Sequence, residues 1–110
     1  MYRLPSEIDL ATIQRRVMDL NAGLESEGFG TEIYNEKGVH KFRKTEYLPI
    51  AFYSNGIVAK GYNFYSYKSK ESLRILADIV DGYFPYIFKA KHPEGVLLQV
   101  VDKVEEAYVQ

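Results

Sequence analysis

The run Leu48-Pro49-Ile50-Ala51-Phe52-Tyr53, then Ser54-Asn55-Gly56, then Ile57-Val58-Ala59-Lys60 narrows the choice of fold more than any other stretch of this chain. Two apolar segments joined by a short polar one form a β-hairpin, and Asn55-Gly56 offers the two positive-φ residues that a tight hairpin turn requires. Pro49 has no amide donor, so its strand is expected to start there or lie at a sheet edge, with the hairpin beginning near Ile50.

Helical spacing lies on both sides of this hairpin. Leu10, Ile13, Val17, Leu20 and Leu24 recur at steps of three and four, which draws one apolar stripe along a helix. Ser6 is the expected N-cap, Asp9 falls in the first turn, and Gly23 and Gly28 bound the end. The stripe suits packing on the chain's own sheet, and it also suits self-association through the same five residues. After the hairpin, Ser69 opens a second helix with Leu73, Leu76, Ala77 and Val80 on one face, Ile75 and Ile79 widening it, and Gly82 ending it. Pro85 suits the first turn of a further short helix through Tyr86, Ile87, Phe88 and Lys91, which Pro93 stops.

The remaining segments are shorter. Residues 29–47 hold isolated apolar positions around Asn35, Glu36, Lys37 and Gly38, the pattern of a linker or loose hairpin. Tyr62, Phe64, Tyr65 and Tyr67 form either a third short strand or an irregular turn. Val96 to Val101 is a valine-rich run of strand length that would complete the sheet. The expected fold is therefore α+β: an N-terminal helix, a β-hairpin with a small mixed sheet, two helices and a C-terminal strand. Its expected division is an amphipathic helix over 1–28, the linker over 29–47 and an α+β domain over 48–110.

Composition excludes several chemistries. The sequence has no cysteine, so disulfides, thiolate nucleophiles and cysteine-held metals are impossible. A net charge of -1 gives no global positive field for nucleic acid or an anionic membrane. No stretch approaches the roughly 18 apolar residues of a membrane span and no signal-peptide layout opens the chain, so a cytoplasmic location is expected. His40 and His92 stand far apart and outside any ligand-spaced motif, and no metal or other cofactor is expected. Asp78 and Asp81 stand at a helix end, where Asp81 suits the turn amides beside Gly82 better than acid–base work. Gly28-Phe29-Gly30 lacks the strand and helix of a dinucleotide site. Lys60, Lys68, Lys70 and Arg74 interleave with Tyr62, Phe64, Tyr65 and Tyr67, the pairing of cations and rings used by single-strand nucleic-acid binders.

The hairpin residues Phe52-Tyr53-Ser54-Asn55-Gly56-Ile57, Tyr67, the stretch Asp78-Ile79-Val80-Asp81-Gly82-Tyr83-Phe84-Pro85, then Pro93-Glu94-Gly95-Val96 and Val100-Val101-Asp102 carry a likeness. From Phe52 onward the chain resembles the SEP domain, the module that precedes the UBX domain in adaptors of the valosin-containing AAA ATPase. The first helix is similar to the segment ahead of that domain in UBX proteins of the socius type. The chain departs from the family at Tyr86-Ile87-Phe88, where a Glu-Leu pair is usual, and around Gly61-Tyr62-Asn63-Phe64, which runs one residue long. The SEP-like unit and its leading helix are expected to take up these residues, so no UBX domain is expected among them, as in an excised piece or a degenerate relative.

The resemblance implies a non-enzymatic protein-interaction module with a protein partner, the valosin-containing AAA ATPase or another ubiquitin-pathway protein, and it leaves a homodimer open. Aromatic anchors at Tyr83, Phe84, Tyr86 and Phe88 with the Pro85 turn are the first candidate contacts. Tyr53, Asn55 and Tyr65 on the hairpin are the second. SEP domains have also been linked to inhibition of cysteine cathepsins, which would use a loop such as Ser54-Asn55-Gly56. Single-stranded nucleic acid is the third class of partner.

Overall fold

The computed structural model describes residues 9–26, 33–36, 39–42 and 47–109, with backbone alone at 33–36 and 39–42. A helix, α1 (Leu10–Ser26), is followed by β1 (Ile33–Glu36) and β2 (Val39–Phe42), an antiparallel pair that makes a two-stranded sheet of its own. A second sheet contains β3 (Tyr47–Tyr53), β4 (Gly56–Ala59), β5 (Phe64–Ser66) and β6 (Leu97–Lys103) in the order β5-β4-β3-β6. Helix α2 (Lys70–Val80) and a 3₁₀ helix (Tyr86–Ala90) lie between β5 and β6 in the chain. The fold is α+β, with β3 antiparallel to β4 and parallel to β6, so the sheet is mixed. Among the described residues no helix is long and apolar enough to cross a membrane.

Strand alternation and helix spacing meet in one core. Leu48, Ile50 and Phe52 of β3 point inward at every second position, as a pleated strand with one buried face requires. They join Ile13 and Val17 of α1, Ile57 and Ala59 of β4, Ile75, Leu76 and Ile79 of α2, Phe88 and Leu98. Asn21 ties α1 to the edge strand from both ends of its amide: Nδ2 donates to the Leu98 carbonyl and Oδ1 accepts from the Leu98 N–H, each at 2.8 Å.

Several local expectations are corrected. The Ser6 cap lies outside the described residues, whereas Asp9 sits at the start of α1 and its Oδ1 accepts from Thr12 N–H at 2.8 Å. This is the reach of an N-cap, not of a residue inside the first turn. Pro49 lies within β3, a central strand. Within a strand a residue's nitrogen and carbonyl face the same neighbour. Here that side meets Lys60, which donates to the Pro49 carbonyl one residue past the end of β4, and the ladder to β6 loses no donor. The positive-φ glycines among the described residues are Gly61, Gly82 and Gly95, so Gly56 is not a turn residue; the turn falls on Ser54 and Asn55, and Gly56 starts β4.

The buried face of α2 is Ser72, Ile75, Leu76 and Ile79, which leaves Ala77 exposed and Leu73 42% exposed. The helix is rotated from the apolar face expected because its first turn is bonded to the end of β5. Ser69 caps the Ser72 N–H and donates to the Ser66 carbonyl at 2.6 Å, and the fully buried Ser72 hydroxyl donates to the same carbonyl at 2.7 Å.

Tyr67 reaches under the hairpin, where its hydroxyl donates to the Tyr53 carbonyl at 2.6 Å. Burial pushes this phenol well above its ordinary value. The folded chain therefore keeps the proton more tightly than the unfolded chain, and stability falls as pH rises past roughly 10, where the unfolded phenol ionises. Urea midpoints measured from pH 8 to 11 should hold level to about pH 10 and decline above it. Tyr67→Phe should flatten the decline and lower stability at neutral pH by about 1 kcal/mol.

Candidate protein-interaction site

The segment from Asp78 to Lys89 is held by its own backbone. Gly82, at φ +86, takes the left-handed position after α2, while Tyr83 N–H bonds to the Asp78 carbonyl at 2.8 Å and Gly82 N–H to the Ile79 carbonyl at 3.0 Å. These two bonds make a Schellman ending, and nothing lies within 4 Å of a side chain built on Gly82, so backbone conformation alone calls for glycine there. The Asp78 carboxylate then accepts from Tyr86 N–H at 3.0 Å and caps the 3₁₀ helix. Asp81, expected to bond the turn amides through its side chain, instead contributes its backbone N–H to the Ala77 carbonyl. Asp78 was the better candidate because a side chain one turn back faces the restarting helix.

In a 3₁₀ helix residues three apart eclipse one another. Pro85 and Phe88 accordingly both point inward and are almost fully buried, whereas Tyr86 and Lys89 both point outward. Tyr83 and Tyr86 are 67% and 66% exposed, and Phe84 is half-buried, edge-on to Phe88 with ring centres 6.2 Å apart. Of the first group of candidate contacts, Tyr83 and Tyr86 are thus on the surface, Phe84 is partly so, and Pro85 and Phe88 are core. The surface members line an open cleft of about 450 Å³ with Arg74, Asp78, Asp81 and Lys89. Arg74 donates to Asp78 at 3.3 Å, and its guanidinium lies 5.7 Å from the centre of the Tyr86 ring. The cleft offers two large rings flanked by both signs of charge, a composition suited to protein recognition.

The second group of candidates has a different fate. Tyr65 is half-buried and packed against the core. Tyr53 and Asn55 are engaged by the C-terminal tail: Asn55 Nδ2 donates to the Tyr108 carbonyl at 3.1 Å, and Asn55 Oδ1 accepts from Tyr108 N–H at 2.8 Å. The Tyr108 ring stacks on Phe64, 4.9 Å between centres and 8° between planes, and meets Tyr53 edge-on at 5.2 Å. Tyr108 escaped the sequence reading; its one signal is an aromatic residue standing alone in a polar tail.

The α1 stripe, which suited either the chain's own sheet or self-association, packs on the core of its own chain. Ile13 and Val17 are 0% and 3% exposed, Leu10 and Leu20 pack against the same core, and Leu24 lies against Gly95. The rings proposed as stacking platforms are also occupied: Tyr62, Tyr65 and Tyr67 pack on the core, and Tyr62 lies 4.9 Å from Phe88, centre to centre.

Comparison with known proteins adds to this geometry. Residues 50–110 match the SEP domain. The chain is 30% identical over 105 residues to UBX domain-containing protein 11 of Mus musculus, an alignment covering 96% of this chain and 21% of that protein. It is likewise 30% identical over 106 residues to UBX domain-containing protein 11 of Homo sapiens, covering 96% of this chain and 20% of the relative. The chain therefore spans about a fifth of the length of these curated relatives. No solved structure matches it.

Proposed function

The chain belongs to the SEP domain family, and from that membership we propose that it is a non-enzymatic protein-interaction module of a cytoplasmic adaptor in the ubiquitin and valosin-containing AAA ATPase pathway. The SEP match carries this reading, and the contact surface within it is supported by the pair of exposed rings, Tyr83 and Tyr86, on a backbone locked by the Gly82 ending and the Asp78 cap. Large rings on a rigid support lose little conformational freedom when a partner covers them, so more of the contact energy remains as affinity. Asp78, Asp81, Arg74 and Lys89 around them supply the polar rim that orients a partner. The cathepsin-inhibitory alternative needs a free hairpin tip, but Ser54 N–H is bonded to the Glu106 carbonyl at 2.8 Å and Asn55 to Tyr108, which favours the cleft.

The test is a calorimetric titration of the chain against the purified valosin-containing ATPase and, separately, against ubiquitin. Tyr83→Ala and Tyr86→Ala should each alter stability by less than about 0.5 kcal/mol, because both rings stand on the surface. Together they should weaken binding to the partner at least about tenfold. A wild-type chain that binds neither protein, or a folded double variant that binds as well as wild type, would overturn the proposal.

A further inference from the structure

The hairpin turn contacts its own tail as a receptor contacts a peptide. Asn55 uses its amide as donor and acceptor to the backbone of Tyr108, and Ser54 N–H bonds to the carbonyl of Glu106, two residues earlier. Three hydrogen bonds thus address the backbone of Glu106 and Tyr108, just past a turn in which Glu106 N–H bonds to the Lys103 carbonyl at 2.9 Å. One side chain is held by rings: Tyr108 against Phe64 and Tyr53. Glu105, Glu106, Ala107 and Val109 are all exposed. Backbone bonds supply affinity regardless of sequence in this mode of recognition, and the pocket for one side chain supplies selectivity.

We infer that the slot formed by Tyr53, Asn55 and Phe64 is a binding site for a peptide bearing an aromatic residue, and that residues 106–109 of the same chain occupy it as an intramolecular competitor. Within the slot only the Tyr108 side chain is anchored; nearer β6, which ends at Lys103, Val104 packs on the core and Glu106 lies 3.4 Å from Lys103. Such a tail stands at the easily opened end of the stability range. Its tether also gives it an effective concentration on the order of millimolar, so a peptide in trans competes at millimolar concentration, and at lower concentration once the tail is weakened. The slot is separate from the Tyr83–Tyr86 cleft, and its test stands apart from that proposal.

The probe is a fluorescein-labelled, amidated peptide with the sequence of residues 104–109, titrated by anisotropy into the full chain. Tyr108→Ala, which removes the ring from between Phe64 and Tyr53 and leaves the tail only its backbone bonds, should bind it at least tenfold more tightly than wild type does. Adding Asn55→Ala to that variant, or replacing the tyrosine of the peptide by alanine, should remove the gain. Equal binding by wild type and a folded Tyr108→Ala variant, or binding indifferent to Asn55, would overturn the inference. Should Tyr108→Ala fail to fold, millimolar peptide added to the wild-type chain should displace the tail and shift the Ser54 and Tyr108 amide resonances; unchanged resonances would overturn the inference equally.

Discussion

Val17→Asp is expected to destabilise the four-stranded sheet along with α1, rather than detach a helix from an intact domain. Val17 is 3% exposed and lies in one core with Ile13, Ile50, Phe52, Ile75 and Leu98, and Asn21 one turn later is bonded through both ends of its amide to Leu98. A carboxyl placed there has no cation or donor in the apolar cluster. It must either stay charged out of water or take up a proton, and the expected penalty is about 4 kcal/mol. A domain of this size has a total stability of roughly 5–15 kcal/mol. In urea at neutral pH, circular dichroism should show helix and sheet lost together at a midpoint well below that of wild type. The introduced carboxyl would have a raised folded-state pKa, so the stability deficit should shrink as the pH is lowered through that value toward the unfolded one. A variant that keeps its sheet signals and loses only helix would show that α1 is an appendage.

Gly56→Ala should be nearly as damaging for a different reason. A β-carbon at that position would stand 2.4 and 2.5 Å from two atoms of the Phe64 ring and 2.5 Å from the Tyr65 carbonyl oxygen. The ring can turn aside; the carbonyl belongs to the adjacent strand and can retreat only by parting β5 from β4. The expected loss is about 3 kcal/mol, at the upper end for an overpacked site. It should appear as a fall in Tm of roughly 10–20 °C. Because Phe64 also stacks on Tyr108, any accommodation that moves the ring should free the tail, readable as faster exchange of the Tyr108 amide. Gly82→Ala provides the contrast: its penalty comes only from the left-handed backbone, about 1 kcal/mol, because no atom lies within 4 Å of the new methyl. Similar losses at both positions would show that crowding by Phe64 and Tyr65 is not what keeps Gly56.

The exposed and buried members of the signature segment explain why its chemistry could be read only halfway from sequence. Asp78 through Phe88 alternates fold-making and surface residues, and a single sequence does not mark which tyrosine or phenylalanine is which. The 3₁₀ geometry makes that assignment, sending Pro85 and Phe88 inward and Tyr86 outward. The same limit applied at the hairpin, where Asn55 reads as an exposed polar tip and is instead tied to a backbone 53 residues away.

What the sequence determined by itself is what residues a few positions apart decide: the Ser69 cap, the Gly82 ending after α2, the stop near Pro93, and the alternation that makes β3 and β4 a hairpin. Each depends on dihedral angles and hydrogen bonds within about one turn, so the side chains needed lie next to one another in the chain. The tertiary structure alone decided the parallel pairing of β3 with β6, the rotation of α2 about its Ser72 anchor, the close approach that requires Gly56 and the docking of Tyr108. Those features join elements far apart in sequence, and packing against a common core selects among pairings that local propensity leaves equivalent.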